Sequence, residues 1–197
     1  MSKIEWTGRT WNPVLGCKPV SPGCANCYAE QMSGRCAAMG NMDYTGLTRR
    51  GENSKTYLFT GDFRELPDRL DEPLRRNTPT TYFVNSMSDL FGEGVSNEFI
   101  AAVFGVMDYC QDHRFQVLTK RAERLVEWFD WLVKRAVYRA TSPEGLMRRY
   151  TKERLSFQHA SHSLLHWRNG QEERWPLPNV HIGVSVENRK HGLPRIE

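Results

Sequence analysis

The chain has 197 residues, enough for one sizeable domain or two small ones with a real hydrophobic core. Its 39% hydrophobic and 25% charged residues are typical of a globular protein and exclude wholesale disorder. The first ten residues, MSKIEWTGRT, lack the apolar stretch of a signal peptide, and no apolar run approaches the ~18 residues of a membrane span. We therefore expect a cytoplasmic protein with no membrane segment. Its five cysteines are an odd number, which argues against a disulfide framework and fits the reduced thiols of that compartment.

The early part of the chain is dominated by residues 11–30, WNPVLGCKPVSPGCANCYAE, which we call the cysteine loop. Proline and glycine break it into short extended pieces and turns. A helix is predicted from Tyr28 to about Met39. The polar region that follows predicts a short strand at 56–60 and a helix near 64–75.

The rest of the chain contains three predicted strands, each followed by a cluster of polar residues. The predicted strands are Thr81–Val84, Phe115–Leu118 and Val180–Val186, with one helix at Asn97–Cys110 and another after the second strand. The polar residues at the strand ends are Asn85, Ser86, Ser88 and Asp89, then Thr119, Lys120 and Arg121, and last Ser185, Glu187 and Asn188. Alternating strands and helices indicate a parallel α/β sheet, in which ligands bind where the carboxyl ends of the strands meet. We expect the three polar clusters to lie together there. The alternative is that they are ordinary N-caps of the following helices, which suits Asp89 or Ser96 better than Ser185.

Basic residues are concentrated between Arg114 and Arg154, where eleven Lys and Arg stand against five Asp and Glu. Two interpretations stay open: ordinary solvated helix faces, or a surface that attracts nucleic acid or a phosphorylated substrate. Residues 138–178 are predicted to form a polar, basic insert. Its three histidines, His159, His162 and His166, are interpreted as part of a solvated helix, with a zinc site as the alternative.

Three cysteines of the loop, Cys17, Cys24 and Cys27, have the spacing C-x6-C-x2-C. An x2 pair aims two thiolates at one metal ion or cluster. Three interpretations follow: unligated structural thiols, a four-thiolate zinc site completed by Cys36, or a [4Fe–4S] cluster whose fourth iron stays open for a small molecule. Cys36 would lie roughly 13 Å further along the predicted helix, too far for one tetrahedral zinc. This distance, and the position of the loop ahead of a βα series, favour the cluster.

Four segments together resemble the successive motifs of the phage Gp37/Gp68 family, whose members are similar to radical S-adenosylmethionine (SAM) enzymes. The segments are WNPVLGCKPVSPGCANCYAE, YFVNSMSDLF, FQVLTKRAERL and WPLPNVHIGVSVEN, and they extend from residue 11 to residue 188. The resemblance implies a single domain over 1–197 with a partial (β/α)6 radical-SAM-type barrel, and a [4Fe–4S] cluster on Cys17, Cys24 and Cys27. It also implies that SAM chelates the open iron, and that the reduced cluster cleaves SAM to a 5′-deoxyadenosyl radical that abstracts hydrogen from a substrate.

The same resemblance assigns SAM contacts to the polar clusters. The assignments are Asn85, Ser86 and Ser88 to the methionine part, Tyr28 to the adenine side, Lys120 or Arg121 to the SAM carboxylate or an anionic substrate, and Ser185, Glu187 and Asn188 to the ribose.

Two features depart from the usual radical SAM pattern. The cysteine spacing is C-x6-C-x2-C rather than C-x3-C-x2-C, and Asn26 stands before Cys27 where an aromatic residue is typical. The sequence also stops just after the predicted fourth strand, and a barrel without further strands exposes an apolar edge. We therefore expect a fragment, a second chain that completes the barrel, or self-association.

The expected function is that of a phage-type radical SAM-like oxidoreductase or isomerase in the host cytoplasm. A nucleobase or modified nucleotide is the expected substrate class, because phages modify DNA bases and the 114–154 region is basic. The alternatives are a zinc-stapled protein that binds nucleic acid and a catalytically incomplete fragment that acts through a partner chain.

Overall fold

The secondary structure alternates strands and helices along most of the chain. The structure is a computed structural model that describes residues 7–52, 55–155 and 176–187, together with Lys190 and Leu193. Its strands are β1 (Arg9–Trp11), β2 (Val14–Leu15), β3 (Thr48–Arg50), β4 (Tyr57–Phe59), β5 (Arg64–Glu65), β6 (Thr81–Val84), β7 (Arg114–Thr119) and β8 (Val180–Val184). Its helices are α1 (Tyr28–Ala38), α2 (Asn97–Tyr109), α3 (Ala122–Tyr138) and α4 (Pro143–Arg154).

A four-stranded parallel sheet with the order β1-β6-β7-β8 positions the site. Trp11, Val84, Val117 and Ile182 lie opposite one another across the four strands and so share one side of the sheet. The first three are buried, whereas Ile182 on the edge strand β8 is 37% exposed. The mixed α/β class and the parallel βα units are thus confirmed, while closure into a radical-SAM-type barrel stays a prediction.

One hydrophobic core joins the buried side of the sheet to α2, α3 and α4. Helix α2 begins at a serine cap, since the Ser96 hydroxyl accepts a hydrogen bond from the Phe99 N–H at 3.2 Å, and it is buried from Phe99 to Asp108. Helix α4 packs closely on α2. A Cβ at Gly105 would overlap the Thr151 hydroxyl and come within 2.7 Å of the backbone oxygen of Met147, so the two backbones approach there because residue 105 has no side chain.

Two small antiparallel pairs, β2 with β5 and β3 with β4, lie outside the main sheet. The strand predicted at 56–60 is confirmed by β4. The helix predicted near 64–75 is wrong, because Arg64–Glu65 pairs with Val14–Leu15 and a single 3₁₀ turn follows at Pro67–Arg69. Pro73 lacks the N–H that a longer helix would use, and it interrupts the helical pattern in the same segment.

The first part of the 138–178 segment contains helix α4, whose Leu146 and Met147 are buried in the core. The basic side chains of this helix are in part paired inside the chain: Arg148 bonds to the buried Asp108 at 2.7 Å. The three histidines of the segment lie outside the described residues. Within the described residues, none of the helices combines the length and the apolar character needed to cross a membrane.

Candidate metal and ligand site

The cysteine loop contacts the carboxyl ends of β6, β7 and β8. The chain leaves the sheet at Trp11, pairs as β2, and turns at Gly16, which bridges to Ser88 beyond the end of β6. Gly16 has φ +83° and the backbone oxygen of Asp62 occupies the place of a side chain, so only glycine fits. A 3₁₀ turn at Pro22–Cys24 carries the second cysteine, and Cys27 directly precedes α1.

Asn85 anchors the start of the loop to the end of β6. Its backbone adopts φ +58°, which asparagine tolerates better than most residues. Its N–H donates to the Trp11 carbonyl at 2.8 Å, and its side-chain oxygen accepts from the Val14 N–H at 3.3 Å. The side-chain NH₂ is buried and has no hydrogen-bond partner among the described residues. A buried donor of this kind is available to a bound acceptor.

The two serines after β6 also bond to the cysteine loop. The Ser86 hydroxyl donates to the Asn12 side-chain oxygen at 3.1 Å, and the Ser88 hydroxyl donates to the Val14 carbonyl at 2.9 Å. Tyr28 is 53% exposed, and its hydroxyl donates to the Ser86 carbonyl at 3.1 Å. These bonds use the hydroxyl hydrogens of both serines but leave their oxygen lone pairs able to accept.

Asp89 organises the end of β7 through a buried carboxylate. Oδ1 accepts hydrogen bonds from the Thr119 hydroxyl at 2.8 Å and from the Phe91 N–H at 3.0 Å. Oδ2 accepts from the Lys120 N–H at 3.0 Å and from Arg121 Nη1 at 2.9 Å. Four donors on a carboxylate of a residue that is 6% exposed fix the two cationic residues that follow β7.

Arg121 continues this connection to the beginning of the cysteine loop. Its Nη2 donates to the Lys18 carbonyl at 2.6 Å, and its Nη1 lies 4.0 Å from the Cys17 sulfur. Burial lowers the pKa of Arg121, but the Asp89 carboxylate and Cys17 outweigh this and raise it. Its Nε is buried without a hydrogen-bond partner among the described residues.

Lys120 and Glu187 connect the ends of β7 and β8 to the second cysteine. They form an ion pair, and Lys120 Nζ also lies 3.6 Å from the Cys24 sulfur. Glu187 Oε1 accepts from the Ser21 hydroxyl at 2.7 Å, and Oε2 accepts from the Gly23 N–H at 3.1 Å. The Lys120 ammonium, followed by the Ser21 hydroxyl, lowers the pKa of Glu187 to about 2.

The first two thiols of the loop differ in acidity. Burial raises the pKa of Cys17 to about 11, although Arg121 opposes this. Burial also acts to raise the pKa of Cys24, but backbone hydrogen bonds, the Ser21 hydroxyl and the Lys120 ammonium outweigh it and lower that pKa. Cys24 is therefore the more readily ionised of the two, and the thiolate is the form that binds metals.

The structure brings most of the predicted site residues to one edge. Cys24, Lys120 and Glu187 are joined by direct contacts, and Cys17 is contacted by Arg121, which follows Lys120 in the chain. Ser185 donates its N–H to the Thr119 carbonyl at 2.8 Å and lies at the same strand ends. Asn188 lies outside the described residues.

Sequence patterns missed two contributors to this arrangement. Asn12 and Ser21 both bind residues more than seventy positions away, so no local pattern marks them. Their only sequence signal is their position among prolines and glycines inside the cysteine loop.

The donor set fits an iron–sulfur cluster by its chemistry. Cys17, Cys24 and Cys27 are free, partly buried thiols, the ligands that such clusters use. No group of three or more His, Cys, Asp or Glu side chains in the described part of the chain is arranged to hold a metal ion. In a [4Fe–4S] cluster each thiol binds a different iron, so the three sulfurs need not meet at one point. Helix α1 is continuous through Cys36, which lies about 13 Å of helical rise from Cys27, so a zinc site shared by the four cysteines fits less well.

One comparison with known proteins finds a family. Residues 1–197, the whole chain, match the model of a family described as a protein of unknown function, DUF5131. The chain belongs to the DUF5131 family. No curated protein and no solved structure matches this DUF5131 chain.

Proposed function

We propose that this chain is a radical SAM-like enzyme of the phage Gp37/Gp68 type. In this proposal Cys17, Cys24 and Cys27 hold a [4Fe–4S] cluster with SAM as the second cofactor, in the cytoplasm of the cell that makes the protein. The cluster and SAM supply the radical chemistry when they are bound, and the chain's own residues bind, orient and shield them.

The observation that carries the proposal is the contact between the cysteine loop and three parallel strand ends. Arg121 reaches Cys17 and Lys120 reaches Cys24 from the end of β7, while Asn85 and Glu187 hold the loop from the ends of β6 and β8. In parallel α/β folds this edge is where ligands bind. A cysteine loop that only stabilised the protein surface would not need contacts with three strand ends.

Lys120 and Arg121 are each paired with a carboxylate, so the support for a ligand with acceptor oxygens comes from donors at this edge that have no partner among the described residues. Two adjacent cations, Lys120 and Arg121, each lie near a cysteine sulfur, and the buried Nε of Arg121 and NH₂ of Asn85 have no partner among the described residues. We assign these donors to the carboxylate of SAM or of an anionic substrate. The lone pairs of Ser86 and Ser88 suit the ammonium group of the methionine part.

The remaining assignments follow the resemblance. Tyr28 is assigned to the adenine side, with Ser185 and Asn188 on the ribose side, whereas both oxygens of Glu187 are already occupied by the cysteine loop. A nucleobase or nucleotide is the proposed substrate class. Two exposed apolar residues, Ile182 on the edge strand β8 at 37% and Val186 two residues beyond its end at 55%, favour completion of the sheet by further protein, from a second chain or by self-association.

Anaerobic reconstitution tests the cluster directly. The chain is purified without oxygen, supplied with iron and sulfide, and analysed for iron, sulfide, zinc and visible absorbance. We expect a brown protein with about four irons per chain. Cys24→Ala should lose this absorbance, whereas Cys110→Ala, which changes a thiol outside the loop, should retain it.

Cleavage of SAM to 5′-deoxyadenosine under a strong reductant then tests the chemistry. Stoichiometric zinc without iron after reconstitution would overturn the cluster assignment. An intact cluster that never cleaves SAM would overturn the assignment of radical chemistry to the isolated chain.

A further inference from the structure

Glu187 bonds to the cysteine loop with both oxygens of its carboxylate. It lies three residues beyond the end of β8, and its side chain is only 15% exposed. Oε1 accepts from the Ser21 hydroxyl at 2.7 Å and Oε2 from the Gly23 N–H at 3.1 Å, so the two oxygens hold two positions of the same 3₁₀ turn. The contacts join residues 164 and 166 positions apart in the sequence.

The absence of a side chain at Gly23 makes this contact possible. A Cβ at residue 23 would overlap the carboxylate of Glu187, and the three atoms nearest to that position all belong to Glu187. The backbone φ of Gly23 is not in the left-handed region, so alanine is compatible with the local φ, and the nearest obstacle to its methyl group is the carboxylate.

Lys120 extends the contact to the sulfur of Cys24. Its ammonium pairs with Glu187 and lies 3.6 Å from that sulfur, while the turn held by Glu187 ends at Cys24 itself. The carboxylate is thus connected to Cys24 by two routes: through the backbone of the turn and through the lysine beside the thiol.

We propose that Glu187 is a positioning residue for Cys24 and not a contact of the ribose. It fixes the 3₁₀ turn at Pro22–Cys24 against the ends of β7 and β8 and so sets where the second thiol lies. This inference rests on the proposed function, which makes Cys24 a cluster ligand. In it, Glu187 holds the cysteine loop in place and does not bind SAM.

Hydrogen exchange on the metal-free chain tests the inference in a double-mutant cycle. The variants are Glu187→Ala, Gly23→Ala and the two together, and the amides of Ser21, Gly23 and Cys24 are followed, since Pro22 has no N–H. Each single change is expected to speed exchange there by about tenfold or more, since hydrogen bonds to a charged group are lost. The double variant should exchange no faster than either single variant, because both changes remove the same contact.

A conservative variant and an internal reference complete the test. Glu187→Gln retains an acceptor oxygen and should protect the turn better than Glu187→Ala. The amides of α2 should exchange at the wild-type rate in every variant. Equal acceleration of exchange in α2 would show a general loss of stability and would overturn the positioning role. The role would also be overturned if the acceleration in the double variant equalled the product of the accelerations in the two single variants.

Unchanged exchange at Ser21, Gly23 and Cys24 in Glu187→Ala would also overturn it. Because the exchange is measured without metal, the result is independent of the proposed function. If the variants loosen the turn as expected but the chain never takes up iron, the positioning role is supported and the cluster is refuted.

Discussion

Replacing Asp89 by asparagine should destabilise the fold strongly, although the two side chains have nearly the same shape. Asparagine keeps one oxygen for two of the four present donors, and in either orientation its NH₂ group faces a backbone N–H, that of Phe91 or that of Lys120. Arg121, whose side chain is 7% exposed, would keep its charge and lose its carboxylate partner.

The size of the effect follows from the burial of the pair. Removing one partner of a buried ion pair costs about 3–5 kcal/mol, because an uncompensated charge stays inside the protein. For a chain of this length 1 kcal/mol shifts Tm by about 2–4 °C, so we expect Tm to fall by about 6–20 °C. Urea unfolding gives the free energy, and a thermal melt gives Tm.

Two further variants serve as controls for the stability measurement. Glu153→Gln removes an exposed ion pair with Arg149 on α4 and should change stability by at most about 1 kcal/mol. Adding Arg121→Met to Asp89→Asn removes the stranded charge and should restore part of the loss. A cost below about 1 kcal/mol for Asp89→Asn alone would show that the pair does not hold the end of β7, and the reasoning from burial would be refuted.

Three more predictions concern the thiols, the helix packing and the response to acid. In the metal-free chain at pH 8, iodoacetamide should alkylate Cys24 before Cys17, since the pKa of Cys24 is lowered and that of Cys17 is raised to about 11; mass spectrometry that finds the reverse order contradicts this. Gly105→Ala should lower the free energy of unfolding by about 1–3 kcal/mol, because the added methyl meets the α4 backbone, and an unchanged urea midpoint would refute the close approach. The pKa of Glu187 is lowered from 4.5 to about 2, so its contacts with the loop stabilise the fold fully above pH 4.5 and are lost only as the pH falls toward 2. The Gly23 amide resonance should therefore stay constant from pH 7 to pH 4.5. A transition of this resonance in that range would contradict the ion pair.

The central strands and their polar ends could be predicted from the sequence because the relevant signals are local. Thr81–Val84 is a run of β-branched and aromatic residues, and the structure extends the strand predicted at Phe115–Leu118 by only one residue at each end. Parallel connection through helices then places the carboxyl ends of these strands at one edge, so their convergence follows from topology alone. The serine cap of α2 at Ser96 is equally local.

The supports of the cysteine loop could not be predicted, because they join distant positions. β2 and β5 are two residues each, too short for any periodic pattern, and their pairing is decided by the tertiary structure. The contact of Glu187 with Gly23 depends on the register of β8 against β7, which also lies beyond local sequence. The helix predicted near 64–75 failed for the same reason, since pairing with β2 overrides the local helix propensity of its first residues.

Two ion pairs hold the cysteine loop, and the pair on the Cys17 side is more deeply buried than the pair on the Cys24 side. The ion pair of Arg121 with Asp89 is 7% and 8% exposed and holds the Cys17 side, whereas the pair of Lys120 with Glu187 is 24% and 15% exposed and holds the Cys24 side. Breaking the first pair strands a charge inside the protein, while breaking the second leaves groups that water can reach. The Cys17 side should therefore open only when the fold is disrupted, whereas the Cys24 side can open locally. Because the more acidic thiol lies on the side that opens, the proposed cluster site implies that an incoming metal meets Cys24 first.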